Sequence, residues 1–190
     1  MLVLASSSPY RRSLLERLKL PFSTASPDVD ESALDGERPH ATALRLAENK
    51  ARAIAGLYPD AHIIGSDQVA VLDGKPLGKP QAYDAALTQL LAVRGRSVTF
   101  HTAVCLLDAR SGQCRVEDVP TTVHFRHYTL QQAAHYLEIE KPYDCAGSAK
   151  IESLGIALVE RVESTDPTAL IGLPLIALVT MLEGIGVEIL

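Results

Sequence analysis

The residues best suited to chemistry lie in the stretch Ile63-Ile64-Gly65-Ser66-Asp67-Gln68-Val69-Ala70-Val71-Leu72-Asp73-Gly74-Lys75-Pro76-Leu77-Gly78-Lys79-Pro80. Two apolar runs, Ile63-Ile64 and Val69 to Leu72, flank a short polar segment that reads as a turn carrying Asp67. Asp73-Gly74 reads as a tight hairpin turn, and Gly78-Lys79-Pro80 as a loop that cannot continue a strand. A carboxylate delivered at a strand end, with a lysine returned nearby, suits metal-assisted chemistry at a phosphate. Gly-Ser-Asp is also ordinary turn chemistry, so the rest of the chain has to decide.

Further candidates are spread along the sequence. Ser6-Ser7-Ser8-Pro9-Tyr10-Arg11-Arg12 reads as a strand-to-helix junction, where free backbone N–H groups and the helix dipole favour an anion. Arg11 adds a guanidinium able to grip phosphate oxygens with two parallel bonds, and Ser6 adds a hydroxyl. No P-loop signature is present. Lys50 lies among small apolar residues of a helical segment, where a lysine ordinarily snorkels to water. Lys79 is on a constrained loop and is the better phosphate candidate. Glu31 ends the acidic loop Pro27-Asp28-Val29-Asp30-Glu31, and with Asp67 it forms an oxygen donor pair of the kind a hard divalent cation prefers. The segment from Cys145 to Gly155 is rich in small residues, as a close-fitting ligand wall would be. Its Glu152 is a candidate reader of N–H donors, and Tyr10 a candidate stacking surface. In His124-Phe125-Arg126-His127 the two histidines alternate across a strand and cannot share a metal; they are assigned to structure.

These residues need positioning elements, and the sequence supplies an alternating set. Leu2 to Ala5 reads as a buried strand, followed by a helix from Pro9 to about Lys19 with Ser8 as N-cap. Leu20 to Ala25 reads as a second strand. From Pro39 to Gly56 the positions Ala43, Leu46, Ala47, Lys50, Ala51 and Ile54 line one helical face, closed by glycine. Ala82 to Val93 is a further helix, and Val98 to Asp108 and Arg115 to Tyr128 are long strands. Thr129 caps a helix to about Glu138, Gly155 to Val162 is a strand, and Pro174 to Leu182 a final helix.

The 190 residues suit one domain with no separable boundary, and 47% of them are hydrophobic, which fits a soluble globular chain. A net charge of −5 argues against broad nucleic-acid binding, which needs a basic face. Three widely spaced cysteines form neither a metal pattern nor a disulfide framework. The longest apolar block, Leu170 to Leu182, is interrupted by Gly172 and Pro174 and is too short to span a membrane. A cytoplasmic protein is expected.

Taken as an ordered set, Leu4-Ala5-Ser6-Ser7-Ser8-Pro9-Tyr10-Arg11-Arg12, Asp30-Glu31, Ala47-Glu48-Asn49-Lys50-Ala51, Gly65-Ser66-Asp67-Gln68, Gly78-Lys79-Pro80, Ala146-Gly147-Ser148 and Ile171-Gly172-Leu173-Pro174 resemble the Maf family of nucleotide pyrophosphatases. The resemblance implies an α/β, Maf- and ITPase-like fold: an elongated mixed β-sheet with flanking helices and two lobes around a central cleft. It also implies hydrolysis of a nucleoside triphosphate to the monophosphate and pyrophosphate, assisted by a divalent metal cation (Mg²⁺ or Mn²⁺), and a homodimer. Asp67 matches the family's proton acceptor, acting as base or as metal ligand. Ser6, Arg11, Glu31, Lys50 and Lys79 match its phosphate- and metal-handling positions. Tyr10, Gln68 and Glu152 fall where base choice is set, and the chain is similar to the branch acting on 7-methyl-GTP. A cationic base would gain about 0.5–2 kcal/mol on an aromatic face, and Glu152 would accept the N1–H and N2–H donors of guanine. The alternatives are a pyrophosphatase for pyrimidine or other modified nucleotides, and a nucleotide-binding regulator of cell division without turnover.

Overall fold

The computed structural model describes residues 1–190. The Val- and Leu-rich tetrapeptide β1 (Leu2–Ala5) is fully buried and pairs in parallel with β2 (Ser23–Ala25) on one side and with β3 (His62–Leu72) on the other. The long strands β5 (Ser97–Asp108) and β6 (Cys114–Phe125) follow antiparallel, and β7 (Val159–Ser164) closes that edge. The result is a seven-stranded mixed sheet in the order β2-β1-β3-β5-β6-β7, with the short β4 (Lys75–Leu77) returning against β3.

The turn expected at Gly65-Ser66-Asp67 does not form. β3 runs straight through it, held by consecutive register pairs from His62↔Asp108 to Val71↔Thr99 on β5. The glycine serves tertiary packing instead. The helix α2 (Pro39–Ala53) presents Ala43, Ala47 and Ala51 to the sheet, and these small side chains let it approach closely. A Cβ on Gly65 would lie 2.0 Å from the Ala47 carbonyl oxygen. The hairpin turn at Asp73-Gly74 does form, with φ of 50° and 76° at the two central residues, as a primed turn requires.

Side chains of β3 alternate between the two faces of the sheet. Ile63 and Val69 join the α2 cluster. Ile64 packs on the opposite face with helices α1 (Pro9–Leu15) and α5 (Leu175–Glu183). Ala70 and Leu72 pack, further along the same face, with α3 (Tyr83–Val93) and α4 (Leu130–Glu140). That face therefore carries two separate apolar clusters, one per lobe. Between them Ser66, Thr102 and Thr121 are buried polar residues.

The elements start and stop for local reasons. Ser8 caps α1 and Pro9 opens it, but α1 is shorter than expected. It gives way to a 3₁₀ turn at Glu16–Leu18, ended by Lys19 in the left-handed region. The second strand is reduced to Ser23–Ala25. A full capping box, Thr129 with Gln132, starts α4. The strand expected from Gly155 begins only at Val159, because Leu154–Leu158 form a 3₁₀ turn. Gly155 there packs so tightly that a Cβ would meet the Lys150 carbonyl at 2.4 Å. No helix is long and apolar enough to cross a membrane.

Candidate active site

The sheet leaves a gap at one edge, and the site occupies it. β1 pairs with β3 only as far as Ala5↔Gly65, and β4 begins pairing at Ala70↔Leu77. From Ser66 to Val69 the strand has a partner on one side alone, β5. A cleft of about 890 Å³ opens there, within the size range of small-molecule sites. Ser6, Tyr10, Arg11, Glu31, Lys50, Asp67, Gln68, Lys79 and Glu152, nine positions far apart in sequence, all line it.

At the centre, Asp67 and Lys50 meet. Lys50 does not snorkel to water. It is buried, and its Nζ lies 2.6 Å from Asp67 Oδ1 and 2.6 Å from Glu31 Oε1. The close approach of α2 at Gly65 is what brings the Lys50 ammonium over the next inward residue of β3. Glu31 arrives from a loop without regular structure, and that loop is strapped to α2. Arg45 bonds Glu37 through Nε at 2.6 Å and Nη2 at 2.7 Å, and also donates to the Ser32 carbonyl at 3.0 Å.

The two carboxylates are pushed in opposite directions. Burial raises the pKa of Asp67, and this outweighs the support its charge receives from Lys50 and Arg11. Burial acts the same way on the more exposed Glu31, but there the hydrogen bond and charge of Lys50, with Lys79 and Arg11, prevail and hold it below the usual value. The pair is thus split: Asp67 is the more basic carboxylate, and Glu31 stays ionised.

Arg11 is fixed by its Nε, which donates to the Gly172 carbonyl at 2.8 Å. Its terminal nitrogens make no hydrogen bond within the protein and remain available to an anion. The same carbonyl accepts Ser66 Oγ at 2.8 Å. Gly172 has φ of 124°, a conformation that suits glycine. Burial lowers the Arg11 pKa while Asp67 and Glu31 support its charge. α1 has only seven residues, so anion gripping at this end rests more on Arg11 than on a helix dipole. Ser6 is buried, and its hydroxyl accepts the Ser8 N–H at 3.1 Å, shaping the turn before α1. Lys79 is exposed at the cleft edge, and Gln89 holds the neighbouring Gly78 carbonyl at 2.9 Å.

At the other end of the cleft, the Tyr10 hydroxyl donates to Asp144 Oδ2 at 3.3 Å, and Lys150 Nζ lies 5.8 Å from the Tyr10 ring centroid. Glu152 lines the cleft and forms no ion pair or hydrogen bond inside the protein. Gln68 is committed: its Nε2 donates to Thr102 Oγ1 at 2.9 Å and to the carbonyls of Leu170 and Ala169 at 3.0 and 3.2 Å. It braces the turn leading to Gly172, and any influence on base choice passes through that turn or through Oε1.

Residues 1–185 match the family described as Maf-like protein. The chain belongs to the Maf family. Relatives along its full length are similar throughout. A protein of Cupriavidus pinatubonensis named 7-methyl-GTP pyrophosphatase is 61% identical over 97% of this chain and 93% of its own length. Proteins of the same name from Ralstonia nicotianae and Methylobacillus flagellatus are 59% and 55% identical, covering 97% and 100% of this chain and 95% and 98% of their own. The mixed sheet with flanking helices expected for a Maf chain is the one observed.

No group of three or more His, Cys, Asp or Glu side chains converges as a metal centre. The donor set nevertheless fits Mg²⁺ or Mn²⁺ in the manner of nucleotide sites, where one or two carboxylates act with substrate phosphates and water. Asp67 and Glu31 each give one oxygen to Lys50 and keep the other free of protein partners. The histidines take no part: His124 bonds Ser97 and contacts Arg161 and Glu163. Sequence reasoning passed over Arg45, Glu37, Asp144 and Lys150. The i,i+8 spacing of Glu37 and Arg45 across a helix start carried no recognisable signal. Lys150 sits beside Glu152 in the segment already read as a ligand wall, and Asp144 immediately precedes that segment.

Proposed function

We propose that this chain hydrolyses 7-methyl-GTP to 7-methyl-GMP and pyrophosphate, using Mg²⁺ or Mn²⁺, in the cytosol. The observation that carries the reading is the buried Asp67–Lys50 pair in a cleft that Arg11, Lys79, Tyr10 and Glu152 also line. The names of the full-length relatives support the substrate. Three free cysteines agree with a reducing compartment.

In this mechanism Asp67, made more basic by burial, takes a proton from water through the oxygen that Lys50 leaves free. The water oxygen bonds to the α-phosphorus as the bond to the α,β-bridging oxygen breaks, and pyrophosphate departs. Arg11 and Lys79 stabilise charge on the phosphate oxygens, and Lys50 keeps Asp67 oriented. A divalent cation held by Glu31 with the substrate phosphates, or by Glu31 and Asp67 where Asp67 serves as ligand instead of base, would supply further neutralisation of the triphosphate. Glu152 accepts the N1–H and N2–H of the methylated base.

Pyrophosphate release from 7-methyl-GTP, GTP, UTP, dTTP and CTP tests the reading. A strong preference for 7-methyl-GTP is expected, and Asp67→Asn should lower kcat by roughly 10²–10⁴ while nucleotide binding persists. Preference for pyrimidines would overturn the substrate, and full activity of Asp67→Asn would remove that residue from the proton transfer.

A further inference from the structure

Where Tyr10 lines the cleft, two opposite charges, Asp144 and Lys150, sit at its ring, and Glu152 lines the same cleft. Asp144 accepts the Tyr10 hydroxyl at 3.3 Å, Lys150 Nζ lies 3.8 Å from Asp144 Oδ1 and 5.8 Å from the ring centroid, and Glu152 is unengaged. The backbone of Lys150 is fixed in turn, its N–H donating to the Tyr136 hydroxyl at 2.9 Å. Asp144, Glu152 and Tyr10 line the cleft. The remaining charged neighbour, Glu140, is engaged by the Ser153 hydroxyl and the Leu154 N–H. Asp144, Glu152 and Lys150 sum to a net charge of about −1, and the ionised Glu140 behind them adds to the negative side.

We infer that Lys150 and Asp144 form a specificity-determining pair that sets how strongly the site prefers a cationic base over a neutral one. The inference rests on the base-end assignment in the proposed function. Glu152 recognises the N–H donors that methylated and unmethylated guanine share, so it favours guanine over pyrimidines. Its charge adds some preference for the methylated ring. Discrimination between 7-methylguanine and guanine depends on the total charge at this end, because the two bases differ by one positive charge and one methyl group. Lys150 lowers that discrimination twice over. It neutralises Asp144, and it places a cation at the Tyr10 ring, whose electrons a cationic base would otherwise use alone. Asp144 raises it.

The test measures equilibrium affinities for the monophosphates 7-methyl-GMP and GMP, which require no turnover, at mildly acidic pH, where the methylated base keeps its N1 proton. Lys150→Met should raise the affinity ratio of 7-methyl-GMP to GMP about fivefold, as expected for unit charges roughly 8 Å apart at an effective dielectric between surface and bulk values. Asp144→Asn should lower the ratio by a similar factor, and the double variant should return near the wild type. Both shifts should shrink as salt is raised. A packing role would weaken both ligands together and move both variants the same way. Unchanged ratios, or shifts of the same sign in the two single variants, overturn the inference. Failure of the wild type to bind either monophosphate overturns it together with the proposed substrate. Opposite shifts in a protein that turns over pyrimidines instead overturn the substrate alone.

Discussion

The placement of Lys50 over Asp67 depends on the absence of one methyl group, and restoring it should disable the enzyme. In Gly65→Ala the new Cβ would start 2.0 Å from the Ala47 carbonyl oxygen and 3.0 Å from the Ala51 N–H nitrogen. Both are backbone atoms, so no side chain can swing aside. To reach ordinary contact α2 must move off β3 by more than about 1 Å. Overpacking of this kind costs about 1–3 kcal/mol, and the fixed backbone on both sides points to the upper end. For a chain of 190 residues that is a fall in Tm of roughly 5–10 °C. The catalytic effect should be larger. Lys50 sits three residues beyond Ala47 and one before Ala51, so the displaced segment is the one carrying the ammonium. A misplacement of about 1 Å can lower turnover by roughly 10²-fold. Gly56→Ala is the control, since a Cβ there meets nothing within 4 Å. The assay pairs thermal unfolding with steady-state pyrophosphate release for both variants. A Gly65→Ala protein with wild-type Tm and kcat would refute the claim that close helix–strand approach sets the site geometry.

The strap under the Glu31 loop gives a pH signature. Hydrogen bonds from Arg45 hold the Glu37 carboxyl down to about 2, well below its unfolded value of 4.5. Its contribution to stability is therefore present above pH 4.5 and lost as pH falls toward 2; the Tm difference between wild type and Glu37→Gln should be constant near neutrality and disappear over that window. In the cleft wall, burial first and Asp144 second push the Cys145 thiol up to about 12. Iodoacetamide at pH 8 should label Cys145 slowly in the native protein and rapidly after denaturation, as peptide mass mapping would show.

What the sequence disclosed, and what it concealed, divides by the range of the interaction. Asp73-Gly74 announced its turn because both φ angles are positive, and Thr129 with Gln132 announced a helix start because the cap is made locally. Gly65-Ser66-Asp67 misled for the converse reason. Its composition is that of a turn, yet pairing with β5 along the full length of β3 and the passage of α2 decide its conformation. Read from its helix alone, Lys50 is a lysine that snorkels to water, and only the resemblance gave it a phosphate-handling place; nothing within the helix shows that two carboxylates, nineteen positions before it and seventeen after, will close on its ammonium. The motif order pointed to residues that the fold brings to one cleft. Their division of labour, with Asp67 raised and Glu31 lowered, required three dimensions.

The strand that carries Asp67 also ties together the centre of the cleft. Alternation along β3 sends Asp67 to the α2 face and its neighbours Ser66 and Gln68 to the other. Those two neighbours hold the 169–172 turn through three carbonyls, those of Ala169, Leu170 and Gly172. The Gly172 carbonyl in turn fixes the Arg11 guanidinium at its Nε. Asp67 and Arg11 are thus tied to one strand by contacts on its two faces, across the one stretch where that strand lacks an edge partner. The polar break between the two apolar clusters is the consequence. Ser66 and Thr102 stand where continuous packing would place apolar residues, because that point must bond the turn positioning Arg11 rather than fill a core.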